Sequence, residues 1–300
     1  MNSKISSKCI SLWILGALIA PTLTIAAGIP WIDMLSMAAV FSVISIAILS
    51  GTRNVVRFGK WFSILECVWL GIVCGTFARM ARFGWDDGNV QLVVPLVLLV
   101  IAAFAAQNGS QRAARQSGSI LWITGVTVMI VLCAGLGEIK WELPQPGKQP
   151  MWEMGMVFLL PCAAVFLPTE NKKKLRITIG ISLLLATAAA VIVSGSTKDL
   201  RQPFYEYSKS IQILGSARRF EALVSCAMTA GWFSLLTVLL CGAGELNRGH
   251  LGCKRGVWMT AAIAAVSVLC NLSIPWNWAV FLTLLFWGVI PLGIQFLGRK

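Results

Sequence analysis

The sequence predicts an all-α polytopic membrane protein of about ten transmembrane helices, and three observations lead there. Hydrophobic residues make up 57% of the 300 and charged residues only 12%. An ordinary soluble domain carries roughly 25% charged residues, so this chain cannot clothe a water-facing surface, and its mean hydropathy is +0.78. The apolar residues fall into ten runs, each near the ~20 residues that a helix needs to cross a hydrocarbon core. Lys and Arg collect in alternate gaps between the runs, the asymmetry that sets membrane topology. The same composition excludes a disordered chain, a coiled coil and a secreted disulfide scaffold.

In chain order the spans are read at 10–27, 32–50, 60–80, 89–107, 119–137, 152–168, 175–195, 220–243, 256–271 and 275–297. Lys4 and Lys8 precede the first. It is read as a retained helix rather than a cleaved signal, because Pro21 interrupts it and a second apolar run follows within a few residues. The tightest gaps are Gly28-Ile29-Pro30-Trp31 and Leu272-Ser273-Ile274. With the N-terminus inside, sixteen Lys and Arg fall on the inner side and nine on the outer, five of the nine in the single loop 196–219. Both termini are therefore expected in the cytoplasm. Trp31, Trp61, Trp85, Trp141, Trp152, Trp276 and Trp278 stand at or near span ends, where an indole buries its ring and still donates a hydrogen bond. The chain reads as one transmembrane domain, 1–300, in two halves of five spans, about 10–137 and 152–297.

The net charge of +13 belongs to these short gaps and points to anionic lipid headgroups rather than nucleic acid, since no basic stripe with interleaved aromatics is present. Of nine cysteines none forms a CxxC pair, and there is one histidine, His250, so buried thiols are expected and no metal or other cofactor. No nucleophile–base pairing, phosphate loop or dinucleotide fingerprint occurs. Enzyme catalysis is not expected.

Candidate function lies where spans are interrupted. Pro21 sits within the first span and Pro161 within the sixth, corresponding members of the two halves. Breaks at matching positions point to a transporter-type midplane site; the alternative is that each proline only kinks its helix. The candidate pocket residues are Ala20, Pro21, Thr22 and Thr24 with Leu160, Pro161 and Cys162, an uncharged set that suits a small zwitterion held by helix-end dipoles. Pro291, in the last span, has no counterpart. Glu66 is the one carboxylate well inside a span; a coupling or gating role and a structural hydrogen bond both remain open for it.

Between spans seven and eight, Pro203 can begin a helix, and Phe204, Tyr207, Ile211 and Leu214 recur at helical spacing before Gly215. An amphipathic helix over about 203–214 is expected on the outer surface, either passive or as a lid. Pro203, Glu206, Ile211, Gly215, Arg219, Glu221 and Leu223, followed by Trp232, resemble the P-x-x-E … I … G … R-x-E segment of spore germination permeases, the B-type subunits of nutrient germinant receptors. Gly109, Ala114 and Arg115 resemble that family's G-x-x-x-x-A-R turn. The resemblance extends loosely over nearly the whole chain.

It implies a ten-helix member of the amino acid–polyamine–organocation superfamily, with the five-plus-five inverted repeat of LeuT-type folds. The seven–eight loop would then cap the outer vestibule, with Pro203, Glu206, Arg219 and Glu221 holding the lid. It also implies a small nutrient such as an amino acid as ligand and A- and C-type receptor subunits as partners. The location implied is the bacterial cell membrane or spore inner membrane. A proton-coupled transporter of an amino acid or similar solute, with Glu66 as coupling group, and a scaffold subunit without ligand are the alternatives.

Overall fold

The computed structural model describes residues 6–26, 31–51, 59–81, 90–135, 151–168, 171–196, 217–272 and 274–297, and their regular structure is helical throughout. The elements are α1 (Ser7–Ile25), α2 (Trp31–Gly51), α3 (Lys60–Met80), α4 (Val90–Ala106) and α5 (Ser110–Gly135). After them come α6 (Met151–Leu159) with a 3₁₀ segment (Leu160–Phe166), α7 (Lys172–Ser196), α8 (Ala217–Leu246) and α9 (Cys253–Leu269). The last is α10 (Trp276–Leu284), a π turn (Leu285–Val289) and α11 (Ile290–Leu297). A helical segment lies over each of the ten apolar runs. Among the described residues five helices are by themselves long and apolar enough to cross a membrane: Ile32–Gly51, Lys60–Met80, Lys173–Val193, Ala222–Leu246 and Trp276–Gln295. Val43, Leu184, Trp122 and Val289 point outward from the bundle, each more than 60% exposed. An apolar exterior of that kind calls for lipid rather than water.

The helix ends depart from the sequence reading by a few residues in several places and by most at the fifth span. The fifth helix begins at Ser110, not at 119, because the polar stretch before the apolar run is itself helical. Gly109, at φ +94°, ends α4, a conformation that costs glycine nothing. The chain then turns by 117° into Ser110–Gly118. Ala113, Ala114 and Ser117 are buried there while Arg112 and Arg115 are exposed. The corner is fastened to the far end of α8, where the Ser110 hydroxyl donates to Glu245 Oε1 at 2.6 Å and Arg248 pairs with the same oxygen at 2.8 Å. At the tight gap before the last span Asn271 takes φ +49°. The Leu272 N–H reaches the Ser267 carbonyl at 3.1 Å, closing α9 in a Schellman turn, and Arg79 of α3 donates to the Asn271 side chain at 2.7 Å.

α1 and α8 form the middle of the bundle. α1 packs on α5, α6, α7 and α8, and α8 on α1, α3, α4, α5 and α9. Without a hydrophobic drive between helices in lipid, close approach depends on small residues. A Cβ added at Gly231 of α8 would lie 2.6 Å from the Ala20 Cβ of α1. On the opposite side α3 lies directly on α9. A Cβ at Gly75 would lie 2.7 Å from the Ser267 Cβ and 2.8 Å from the Ala264 carbonyl oxygen. Gly75→Leu is therefore expected to lower stability by about 1–3 kcal/mol, the usual cost of overpacking. Gly118→Ala, where a Cβ meets nothing within 4 Å, should not lower it and should raise it by up to about 1 kcal/mol, alanine being the better helix former; thermal melts of the purified variants check both.

Candidate functional site

Pro21 does not break its span. α1 is α-helical from Ser7 to Ile25 with Pro21 inside it, so of the two matched interruptions expected from sequence only the one at Pro161 changes the helix. The missing N–H costs α1 one hydrogen bond, and the Thr24 hydroxyl adds a donor in that turn, reaching the Ala20 carbonyl at 2.7 Å. That hydroxyl serves the Ala20 carbonyl and not that of Ala17, the one Pro21 leaves without its helical donor. Ala20 is occupied in packing against Gly231. Thr22 is fully buried, and its hydroxyl has no partner among the described residues.

At Pro161 the outcome is different. α6 ends at Leu159 and tightens into the 3₁₀ segment, every residue of which is buried. The change frees carbonyls that the α ladder would have used. Ser45 of α2 donates to the Phe158 carbonyl at 2.8 Å, and the Cys162 thiol lies 3.4 Å from Ser45 Oγ as a donor to it. A neighbouring span thus satisfies the break directly. α1 touches both α6 and the 3₁₀ segment, so the helices carrying Ala20, Pro21, Thr22 and Thr24 and the stretch carrying Leu160, Pro161 and Cys162 do meet.

Trp232 follows Gly231, the residue packed on Ala20; α1 and α8 run antiparallel there, with Gly16 facing Ser234, so it stands on the Gly16 side of Ala20, away from Thr22. Its indole N–H is fully buried without a partner, as is that of Trp13 on α1. Its ring lies 6.3 Å from Phe77 of α3, which lies 6.2 Å from Trp276. Beside Phe77 and Trp276, between α3 and α6, is a cleft of about 10 Å³ reaching Thr76 and Met156, room for about one water. Unpaired buried donors are uncommon in native structures; those of Trp13 and Thr22 lie on α1 and that of Trp232 on α8.

Glu66 of α3 is fully buried. Its Oε1 accepts the Trp287 indole N–H at 2.6 Å, and Oε2 has no partner among the described residues. Trp287 belongs to the π turn, and Pro291 explains the turn. Lacking an N–H, Pro291 cannot bond the Trp287 carbonyl; just upstream the register slips by one, so that the Ile290 N–H reaches the Leu285 carbonyl. The proline left without a counterpart in the sequence therefore lies beside the partner of the buried carboxylate. The π turn in turn touches the 3₁₀ segment. Glu66 is thereby linked through Trp287 to the altered part of span six.

Around Glu66 runs a strip of polar groups. Asn247 donates to Cys67 at 2.7 Å and to the Ala243 carbonyl at 3.1 Å. Asn247 Oδ1, the Ser63 and Thr260 hydroxyls and the Trp69 indole N–H are buried without partners among the described residues. Sequence reasoning missed Ser45, Phe77, Trp287, Asn247 and Thr260 as parts of these sites. A polar residue at the buried face of an apolar span was the available signal for Ser45 and Thr260.

The remaining predicted residues are placed less fully. Pro203, Glu206 and the whole 203–214 segment lie outside the described residues. Arg219 and Glu221 fall in the first turns of α8, where only the backbone is described. Among the described residues no group of three or more His, Cys, Asp or Glu could hold a metal ion.

No protein-family model matches the chain, and neither does any curated protein. Ser45→Ala should leave the Phe158 carbonyl unpaired in the bundle and cost about 1–3 kcal/mol. A melting midpoint equal to that of the parent would show that the hydroxyl is not needed there.

Proposed function

We propose that the chain is a permease-like membrane subunit of the spore germinant-receptor kind, built as a five-plus-five inverted repeat with both termini cytoplasmic. A small nutrient, such as an amino acid, binds where α1 meets the 3₁₀ segment of span six. What carries this reading is how the helices pair. α1 packs on α7 as α6 packs on α2; α3 on α9 as α8 on α4; α1 on α5 as α6 on α10. Each pair is the image of its fellow when the two halves are exchanged, while α2–α7, α3–α8 and α4–α9 are their own images. Inverted repeats of this kind place the ligand at the interface of the halves. The unpaired Thr22 hydroxyl suits the carboxylate of an amino acid, and the ligand acts by binding one arrangement of the bundle more tightly than the other.

A second reading, a proton-coupled secondary transporter, is favoured by Glu66. An ionised carboxylate inside a span costs several kcal/mol unless paired, so a group that gains a proton there and passes the change through Trp287 to the 3₁₀ segment is placed to couple proton and solute movement.

Proteoliposomes offered a panel of radiolabelled amino acids separate the readings. Saturable binding without accumulation is the receptor outcome, and bulky Thr22→Trp or Cys162→Trp variants, inserted at normal levels, should then lose at least tenfold in affinity. Accumulation driven by a pH gradient and abolished by Glu66→Gln is the transporter outcome. Neither binding nor uptake removes both and leaves a scaffold that only holds A- and C-type partners.

A further inference from the structure

Between α1, α5 and α7 the bundle carries a groove of about 590 Å³, large enough for a sizeable ligand. Its floor is buried, with Ile19, Leu121 and Leu132 under 10% exposed, and its rims stand open at Trp122, Met129 and Leu185. Apart from the Trp122 indole, no lining side chain carries a strong donor or acceptor. Solute sites place a few convergent polar groups among apolar ones. A groove without them matches hydrocarbon.

The ends of its walls are not neutral. On α5, Arg115, Trp122, Val126 and Met129 are spaced seven, four and three apart; on α7, Lys174, Ile181, Leu185 and Ala188 repeat that spacing. Residues so spaced share one helical face. Arg115 and Lys174 are therefore exposed cations on the same faces as the groove, Arg115 roughly 10 Å of helix before Trp122. On α1, Lys8 holds the matching position one turn before Leu12. One span separates α5 from α7 and three separate α1 from α5, so the three helices run the same way and these residues gather at one end. Trp122 stands between charge and hydrocarbon, where an indole N–H meets the ester level of a bilayer.

We propose that this groove is a binding site for an anionic phospholipid, one acyl chain lying along α1, α5 and α7 and the phosphate held by Arg115 and Lys174. The charge at the head of an otherwise apolar channel selects lipid over a partner helix. Arg115, in the second turn of α5 after Gly109, thereby acquires a ligand. The site rests on the alternating passage of α5, α6 and α7 through the membrane and not on what the midplane binds.

Native mass spectrometry of the full chain with dioleoylphosphatidylglycerol and dioleoylphosphatidylcholine tests it. The wild type should retain the anionic lipid in preference. Each basic residue near a membrane surface is worth about fivefold in that preference, so Arg115→Gln with Lys174→Gln should lower it roughly thirtyfold. Gly125, which lines the groove and whose added Cβ meets nothing within 4 Å, allows the channel to be filled without disturbing the bundle. Gly125→Leu should reduce retention of both lipids. Equal retention of the two lipids by the wild type overturns the proposal, as does full retention by Gly125→Leu. A Met129→Cys cross-link to another protein chain rather than to an acyl chain overturns it in favour of a helix partner. Arg115→Cys and Lys174→Cys labelling from opposite sides of oriented vesicles would remove the topology beneath it, independently of any lipid result.

Discussion

A proline inside a membrane helix leaves a carbonyl four residues back without its donor, and no water is at hand to replace it. The chain meets this demand in several ways, and its special features follow from them. In α1 and α4 the helix runs on through Pro21 and Pro95. At Pro161 it tightens to 3₁₀ and borrows a hydroxyl from α2. At Pro291 it loosens to π for one turn. The tightened and loosened stretches touch each other, so these departures from the α register, both among the described residues, are neighbours in the bundle. Glu66 is attached to one of them. Non-α turns of this kind recur at functional sites because their side chains emerge at angles that a regular helix forbids.

Buried polar groups sort in the same way. The inner face of α3 carries Ser63, Glu66 and Cys67, all buried. α3 is also the span held most closely to α9 through Gly71 and Gly75. Backbone contact brings Thr260 and Asn247 near the carboxylate, and several of these atoms stand without partners among the described residues. Inside lipid each such atom costs free energy, so ordered water or a proton on Glu66 is the economical way to complete the strip.

Most of the helical plan was legible in the sequence because composition and run length act on every residue of a span. The start of α5 was not. Gln111, Arg112 and Arg115 disqualify that stretch as a span, yet Ala113, Ala114 and Ser117 make it helical on one face. Pro21 and Pro161 look alike as letters but differ in outcome, since what a proline does depends on which neighbour can supply a donor. Ser45 lies 113 residues from the carbonyl it caps, and no local pattern carries that distance. Glu66 was visible as a carboxyl in an apolar run. Trp287 was not visible as its partner, because the π turn that presents it follows from a proline four residues further on.

On the inverted-repeat reading, the two halves share neighbours but not tightness. α1 is pressed onto α8 by Gly231 against Ala20. The exchanged pair, α6 and α3, makes no such broad contact and is separated by the cleft beside Phe77. The same side of the bundle holds the 3₁₀ segment, the π turn and Glu66. An element that moves must have few buried contacts to lose, and neither wall meets that condition: α1 is clamped to α8, and every residue of the 3₁₀ segment is buried. The asymmetry between the halves lies in backbone geometry and follows from the prolines, because Pro21 left its helix α and Pro161 did not.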